Sequence, residues 1–226
     1  MRIVAVSDLH GLLMNDTYEY PDGDVFVIAG DVLPDLRPTI RQSQWAIEVL
    51  KPWLKKRADQ FKDIVLTWGN HDFVDTYGDP TAKYLEDMNI FVASSAQTCE
   101  IGGKIFYVSP YCRQLPNWAY EASEESLAAM YKWIPSGTDV IISHGPALDY
   151  LDKTCNMFGG THAGSIALKR AIRKVQPSVV ICGHIHEAYG SYVLHHHGTS
   201  DVTDIYNVSQ MDEHYTYRHR PVVIDF

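Results

Sequence analysis

The chain has 226 residues and a net charge of −9 at neutral pH, from 19 basic and 28 acidic side chains. Its length and its hydrophobic content of 46% are typical of a soluble globular protein, and we expect one domain over residues 1–226. This composition excludes disordered, collagenous and disulfide-scaffold proteins. The negative charge disfavours binding to long nucleic acid. It does not exclude a small phosphate substrate, because bound divalent cations would add positive charge locally.

The cysteines and the apolar runs indicate the cellular compartment of the protein. None of the four cysteines forms a Cys-x-x-Cys pair, which favours reduced thiols. A strand-like run follows Met1 almost at once, and no secretory signal precedes it. No apolar run approaches the roughly 18 residues that a membrane span needs. We therefore expect a cytoplasmic protein with no membrane partner.

Short β-branched runs recur along the chain and predict buried strands. They are Ile3–Val6, Val25–Ile28, Ile64–Trp68, Ile105–Val108, Val140–Ile142, Val179–Cys182 and Val222–Ile224. Amphipathic stripes predict helices across Trp45–Leu54, Glu121–Trp133 and Leu168–Val175. Pro52 should kink or end the first of these helices. The tail from about Tyr189 has strand-like pieces and no clear helix, so we expect an α/β fold with a mostly β end.

Polar side chains follow five of these runs at the point where each run ends. In an open α/β sheet, ligands bind outside the carboxyl ends of the strands. Small residues, mostly glycine, accompany nearly every one of these side chains and let the backbone approach a site closely. The side chains delivered to this edge are Asp8, His10, Asp31, Asn70, His71, Asp72, His144, His184 and His186.

The spacing and chemistry of these residues favour a metal site. In Asp8-x-His10 and His184-x-His186, an extended backbone points both side chains the same way, so that each pair can chelate one ion or bracket two. Carboxylate, imidazole and amide donors without thiolate suit Mn, Fe or Zn. Taken singly, each residue is more often a cap or a surface histidine, but five compatible clusters point to metal.

The ordered set of motifs resembles the calcineurin-like metallophosphoesterase superfamily, whose motifs are D-x-H, G-D, G-N-H-[DE], H and G-H-x-H. They stand here as Asp8-Leu9-His10, Gly30-Asp31, Gly69-Asn70-His71-Asp72, His144 and Gly183-His184-Ile185-His186. The resemblance implies an α/β (α+β) fold of the calcineurin-like type. This is a four-layer αββα sandwich of two mixed β-sheets flanked by helices.

The later part of the chain resembles one branch of that superfamily, the metallophosphoesterase-domain-containing (brain 239-like) proteins. The segments that carry this resemblance are Ser143-His144-Gly145-Pro146, residues 183–190 and Tyr206-Asn207-Val208-Ser209. The branch implies phosphodiesterase activity and does not single out one substrate. We expect a small phosphate ester, with cyclic and other nucleotides among the candidates.

The superfamily also implies a ligand set for two divalent ions. By resemblance, one ion binds Asp8, His10, Asp31 and His186, and the other binds Asp31, Asn70, His144 and His184. Asp31 bridges the two ions, and His71 assists catalysis without binding metal. We expect Mn, Fe or Zn, with Ni and Co as further candidates.

A binuclear centre of this kind explains how a phosphate ester could be hydrolysed. Two metals lower the pKa of a bridging water, and the resulting hydroxide attacks phosphorus. The leaving alkoxide needs a proton, for which His71 is the candidate donor. Asp72 could orient His71, or it could instead cap a helix.

Three other functions stay open at this point. A phosphoprotein phosphatase of the superfamily usually carries Asp-Arg-Gly soon after Gly-Asp, and this element is absent after Gly30-Asp31. A nuclease is disfavoured by the small size and the net charge of −9. A non-catalytic, metal-dependent interaction module is disfavoured because every ligand position is filled.

Further residues outside the motifs have two interpretations each. His195-His196-His197 could bind metal, or could lie in a solvent-facing loop or strand. His162 could contact the substrate from a glycine-flanked loop. Tyr111 and Trp118 could stack on a base or an aryl group, or could pack in the core.

Overall fold

A computed structural model of the chain describes residues 1–13, 19–36, 40–75, 83, 85, 90–155 and 160–226. The strands are β1 (Arg2–Val6), β2 (Val25–Ala29), β3 (Asp63–Thr67), β4 (Ile90–Ala93), β5 (Gln97–Ile101), β6 (Lys104–Ser109), β7 (Cys112–Arg113), β8 (Glu121–Ala122), β9 (Val140–Ser143), β10 (Val179–Cys182), β11 (Gly190–His195), β12 (Val202–Asn207) and β13 (Val222–Asp225). The helices are α1 (Ile40–Trp45), α2 (Lys51–Ala58), α3 (Glu124–Tyr131) and α4 (Ile166–Val175), with a π turn (Ala46–Leu50) between α1 and α2.

The first sheet has five strands in the order β13-β1-β2-β3-β4. Strands β1 to β4 run parallel, and β13 is antiparallel to β1. Val6 of β1 lies level with Ile28 of β2, which in turn lies level with Leu66 of β3. The carboxyl ends of these three strands therefore meet at one edge of the sheet.

The second sheet has six strands in the order β11-β12-β10-β9-β6-β5. Its four central strands run parallel, and β11 and β5 are antiparallel additions at the two edges. Ile181 of β10 lies level with Ile142 of β9. These two strands therefore end side by side, as β1, β2 and β3 do in the first sheet.

The two sheets pack face to face because the strands are apolar on both sides. Ile3 and Ala5 of β1 share one core with Ile142 of β9 and Ile181 of β10. The alternate residues of the same strands, such as Val4 of β1, face the helical layers. A strand covered on both faces reads as a continuous apolar run, and this is the pattern of the central strands.

Helices cover the outer face of each sheet. Trp53 and Leu54 of α2 pack on the outer face of the first sheet. Leu127 of α3 and Leu168 of α4 pack on the outer face of the second sheet. The order helix, sheet, sheet, helix confirms the predicted αββα architecture.

Two short segments differ from the sequence-based expectation. Pro52 does not end its helix: the π turn precedes it, and helical backbone continues to Ala58. Proline has no backbone N–H to donate, and the wider π turn accommodates the absence of that hydrogen bond. The helix predicted across Glu121–Trp133 begins at Glu124, since Ser123 caps it and Glu121–Ala122 form β8.

The two sheets are joined at the edge where the polar motifs lie. Beyond β1, the amide of Ser7 donates to Val208 O at 3.1 Å, and the amide of Gln210 donates to Ser7 O at 3.0 Å. Within the second sheet, the amide of Gly183 after β10 donates to His144 O after β9 at 3.0 Å. Loops from both sheets are thus held against each other where the strands end. None of the described helices combines the length and apolar character that a membrane crossing requires.

Candidate metal centre

The predicted site residues converge at this joined edge. Three groups of potential metal donors have their ligand atoms within 4.8 Å of one another. They are Asp8, His10 and His186; His10, Asp31 and His71; and Asp31, His144 and His184. Asn70 is adjacent, with Oδ1 3.0 Å from His144 Nε2. The structure therefore brings together the residues that the sequence motifs single out, and their role as ligands stays a prediction.

Asp8 is fixed by hydrogen bonds from both halves of the fold. Its carboxylate is buried and accepts from the Ser7 hydroxyl at 2.6 Å and from the Ser209 hydroxyl at 2.7 Å. It also accepts from the backbone amide of His184 at 3.0 Å. Oδ1 lies 3.4 Å from His186 Nε2. The carboxylate is thus oriented toward the histidine loop that follows β10.

Asp31 lies between the two outer donor groups. Its Oδ1 accepts from the amide of His71 at 2.8 Å. Its Oδ2 lies 3.4 Å from His144 Nε2 and 4.0 Å from His10 Nε2. One buried carboxylate oxygen therefore faces one histidine of each group, which is the position that a bridging ligand requires.

Backbone carbonyls fix the orientation of two histidines. Nδ1 of His144 donates to Ala29 O at 2.9 Å, and Nδ1 of His186 donates to Asp212 O at 3.0 Å. These contacts leave Nε2 of both rings facing the carboxylates. A hydrogen bond from the second ring nitrogen is the usual way in which a metal-binding histidine is oriented.

The two ring nitrogens of His10 differ in their surroundings. Its Nδ1 is buried and has no hydrogen-bond partner among the described residues. Its Nε2 faces His186 Nε2 at 3.3 Å. The described residues also place no Lys or Arg nitrogen within 4.0 Å of Asp8 or Asp31. Buried carboxylates that face only imidazole nitrogens, with no Lys or Arg partner among the described residues, fit a bound divalent cation.

The site balances its charge through the histidines. Burial alone would raise the pKa of Asp8 and of Asp31, but the neighbouring imidazoles His186 and His144 hold both pKa values far below the usual range. Burial opposes the charged form of His144 and of His186, yet the carboxylates outweigh it and raise each pKa to about 9. Burial and the charge of His144 lower the pKa of His184 to about 4. Metal binding to such a cluster releases protons.

Several site residues have a left-handed backbone, which costs free energy for side chains with a Cβ. The φ angles are 55° at Asp8, 43° at His10, 52° at Asp31 and 70° at His184. Left-handed residues are concentrated where a structure needs a particular side-chain direction more than a relaxed backbone. Here the sharp turn after each strand aims the side chain back over the sheet edge.

Two motif glycines are required by close packing. A Cβ at Gly69 would collide with Asp31 Oδ1 and would lie 2.6 Å from His144 Cε1. A Cβ at Gly183 would collide with Ser7 Oγ and with Asp8 Oδ2. Neither neighbour could give way without moving a donor atom. The glycines of G-N-H and G-H-x-H therefore make room for the carboxylates.

His71 is paired with Asp35, a residue that the motif analysis did not single out. Its Nδ1 lies 2.8 Å from Asp35 Oδ1. The orienting role considered for Asp72 is therefore wrong. Asp72 instead accepts from the amides of Leu33 and Gly69, each at 2.8 Å, and so ties the loop after β2 to the loop after β3. Burial and the charge of Asp31 raise the pKa of Asp72 to about 8.

An open cleft of about 430 Å³ lies above the donor groups, and Asp31, Asn70, His71, His184 and His186 form part of its lining. Trp118 lines the cleft and packs on the His71 ring, with ring centroids 4.1 Å apart. Tyr215 lines it as well, with its ring 4.9 Å from His10 and 5.0 Å from His186. The donors are thus reached between two aromatic side chains.

The remaining candidates from the sequence lie elsewhere or are structural. His162 contacts Asp152 at 2.7 Å and does not line the described cleft. His196 is buried and bonds Thr203 at 2.8 Å, so it serves the second sheet. Tyr111 packs against the cores on the outer faces of both sheets.

Sequence reasoning missed Asp35, Asp212 and Tyr215. Asp35 stands four residues after Asp31, and only this proximity to a motif could have drawn attention to it. Asp212 acts through its backbone carbonyl, which no residue type reveals. Tyr215 lies in a turn far beyond the last motif, and its approach to His10 depends on how the chain returns after β12.

Comparisons with known proteins agree with this geometry. The family model described as calcineurin-like phosphoesterase matches residues 1–188. Metallophosphoesterase domain-containing protein 1 of Homo sapiens is 28% identical over 251 residues, which cover 99% of this chain and 70% of the human protein. UPF0046 protein K07C11.7 of Caenorhabditis elegans is 28% identical over 246 residues, covering 99% of this chain and 74% of that protein.

Solved structures share the fold at low sequence identity. One crystal structure superimposes with a TM-score of 0.62 at 16% identity, covering 91% of this chain and 89% of the other. TT1561 of Thermus thermophilus superimposes with a TM-score of 0.50 at 13% identity, covering 92% and 90% of the two chains. The family match extends over most of the chain and includes every strand-end motif. The chain therefore belongs to the calcineurin-like phosphoesterase family, a class of metal-dependent phosphohydrolases.

Proposed function

We propose that the chain is a binuclear metal-dependent phosphodiesterase whose residues 1–226 form one metallophosphoesterase domain. The observation that carries the proposal is the position of Asp31, whose Oδ2 faces His10 on one side and His144 on the other. A single carboxylate between two donor groups can hold two cations close together. Two close cations are the arrangement that phosphoester hydrolysis uses.

The proposed ligands follow the two outer groups of donors. One site consists of Asp8, His10, Asp31 and His186, and the other of Asp31, Asn70, His144 and His184. The mixed oxygen and nitrogen donors favour Mn, Fe or Zn, with Ni and Co as substitutes. When bound, the ions supply Lewis acidity toward the phosphoryl oxygens and toward the water that attacks phosphorus.

The side chains around the donors have their own roles in the reaction. His71 donates a proton to the leaving oxygen, a contribution worth about 10²–10⁴ in rate. Asp35 accepts from its Nδ1 at 2.8 Å and so holds the opposite ring nitrogen toward the cleft. Trp118 packs on the imidazole and limits its rotation. One ring nitrogen of His71 also lies within 4.8 Å of ligand atoms of His10 and Asp31, so the measured metal content must separate a donor from a ligand.

The cleft favours a small phosphodiester over the other candidate substrates. Trp118 and Tyr215 leave room for a compact ester, and cyclic nucleotides are among the candidates. A nuclease would use Lys and Arg along its groove, and the described lining of this cleft contains neither. The absent Asp-Arg-Gly element further disfavours a phosphoprotein phosphatase.

A substrate panel tests the proposal. Phosphodiesters, cyclic nucleotides and phosphomonoesters are assayed with Mn²⁺, Zn²⁺ and Fe²⁺ and with a chelator. We expect diesters to be hydrolysed best, and we expect the chelator and Asp31→Asn to abolish the activity. Asp59→Asn, an exposed acid at the end of α2, is the matched control and should behave like the parent. Hydrolysis of monoesters alone, or activity that survives the chelator, would overturn the proposal.

A further inference from the structure

The described walls of the cleft carry negative charge at a site that must take an anion. Glu187 and Glu213 line the cleft, and no Lys or Arg stands among its described lining residues. The basic groups nearest to Glu213 are His214, whose Nε2 lies 3.7 Å from its carboxylate, and Arg218, which is paired with Asp212, and neither lines the described cleft. Among the described lining residues, positive charge is therefore offered only by the histidines on the floor. A phosphodiester carries one negative charge, at phosphorus, where the floor would hold it. A second anion on one of its arms would face the two glutamates.

Both glutamates belong to segments that hydrogen bonds hold at the cleft. Glu187 follows His186 directly, and its carboxylate accepts from the backbone amide of Cys155 on another loop. Glu213 belongs to a turn in which the Asp212 carboxylate accepts from the amides of His214 at 3.0 Å and of Thr216 at 2.9 Å. The carbonyl of the same Asp212 orients His186. The Glu187 carboxylate and the turn that carries Glu213 are thus held close to one of the proposed ligands.

The other described walls suit an uncharged, flat group. Trp118 and Tyr215 present aromatic rings beside the donors, and Leu115 and Ile185 add apolar surface. Aromatic rings of this kind pack well on an aryl group or a nucleobase. One arm of an ester can lie on these rings while its phosphorus reaches the floor.

We propose that the cleft favours phosphodiesters whose arms carry no second anionic group, and that Glu187 and Glu213 weaken the binding of a terminal phosphate by charge repulsion. The inference rests on the proposed function, because it places the diester at the donor groups. In a cleft open to water, repulsion between a phosphate dianion and two nearby carboxylates is expected to weaken binding by about tenfold.

A matched pair of substrates tests the selection directly. Thymidine 5′-(4-nitrophenyl phosphate) and the same compound with a 3′-phosphate differ only in the terminal anion. With the Mn²⁺-loaded protein, we expect kcat/KM to be about tenfold lower for the 3′-phosphorylated compound. The double variant Glu187→Gln/Glu213→Gln should bring the two values within about twofold. The matched double variant Glu48→Gln/Glu100→Gln alters exposed acids outside the cleft and should keep the parent ratio.

A binding measurement separates failure of this inference from failure of the proposed function. Calorimetry measures the affinities of thymidine 5′-phosphate and thymidine 3′,5′-bisphosphate. We expect the parent to bind the monophosphate about tenfold more tightly than the bisphosphate, and the double variant to bind the two compounds equally well. If the diester is hydrolysed but neither kcat/KM nor affinity distinguishes the paired compounds, the selection is wrong and the proposed function stands. If no diester is hydrolysed, the proposed function fails. The measured affinities then test the charge repulsion by themselves. Tighter binding of the monophosphate that disappears in the double variant supports the repulsion, and equal binding of the two compounds by the parent overturns it.

Discussion

The imidazole of His71 is paired with Asp35 rather than with its sequence neighbour Asp72. Nδ1 of His71 lies 2.8 Å from Asp35 Oδ1, whereas the Asp72 carboxylate accepts from the backbone amides of Gly69 and Leu33. Asp35 therefore contacts a side chain, whereas Asp72 contacts the backbone. Asp35 orients a side chain that faces the cleft, and Asp72 holds two loops together.

Replacing Asp35 tests its effect on the proton donor. Asp35→Asn removes the charge that favours one orientation of the His71 ring, and we expect hydrolysis of an alkyl diester to fall by about tenfold. A 4-nitrophenyl diester should fall less, because nitrophenolate leaves without a proton. The measurement is the ratio of kcat for the two substrates, and an equal fall for both would contradict the assigned role.

Asp72→Asn is the control for this substitution. It should lower the melting temperature, since a buried acceptor of backbone N–H groups is changed. The ratio between the two substrates should stay at the parent value. A changed ratio with an unchanged melting temperature would return the orienting role to Asp72.

His71 itself should show the same dependence on the leaving group more strongly. We expect His71→Ala to slow hydrolysis of an alkyl diester or a cyclic nucleotide by about 10²–10⁴ and to slow the nitrophenyl ester far less. Metal content should stay at that of the parent, as measured by atomic emission on dialysed protein. Equal losses would show that His71 stabilises the phosphoryl group, and a loss of metal would show that it is a ligand.

The glycine before Asn70 should be required for the metal centre rather than for folding alone. A Cβ at Gly69 would displace Asp31 Oδ1, so Gly69→Ala should lose bound metal and activity together. Gly137→Ala is the matched control, because its Cβ would meet only Ile105 Cδ1, at 3.9 Å. Circular dichroism of both variants establishes that they fold. A Gly69→Ala protein with full metal content would show that the packing around Asp31 is looser than described.

Much of the fold could be predicted because its central strands are covered on both faces. Ile3–Val6 and Val140–Ile142 are continuous apolar runs and lie in the middle of the two sheets. The edge strand Gln97–Ile101 was not predicted, because it has no continuous apolar run, and its Thr98 and Glu100 are exposed. The π turn before Pro52 was not predicted either, because packing on the first sheet determines whether that helix continues.

The donor residues could be predicted for a reason of topology. Parallel strands bring their carboxyl ends to one edge, so a residue such as Asp31 is located by the strand before it. No strand pattern locates Asp35 or Tyr215, which lie in loops whose path depends on tertiary contacts. Asp72 was considered for the role of Asp35 because a sequence shows which residues are adjacent along the chain, but does not show which residues come into contact when the chain folds.

Metal should contribute measurably to stability. Asp8 and Asp31 are buried together with no basic partner other than histidine among the described residues, and a cation would offset their repulsion. At Mn²⁺ about 100 times above its Kd, the native state gains about 2.7 kcal/mol per site. For a chain of this length that corresponds to a rise in Tm of about 5–10 °C per site. Scanning calorimetry with and without a chelator measures this rise, and Asp31→Asn should reduce it. A Tm that is insensitive to metal would contradict the assignment.

Anomalous diffraction from crystals grown with Mn²⁺ would show directly whether Asp31 joins two metal sites. We expect two anomalous peaks about 3.5–4 Å apart on either side of the Asp31 carboxylate. One peak should adjoin Asp8, His10 and His186, and the other should adjoin Asn70, His144 and His184. A single peak in this cluster, or peaks that lie only at other histidines such as His195–His197, would contradict it.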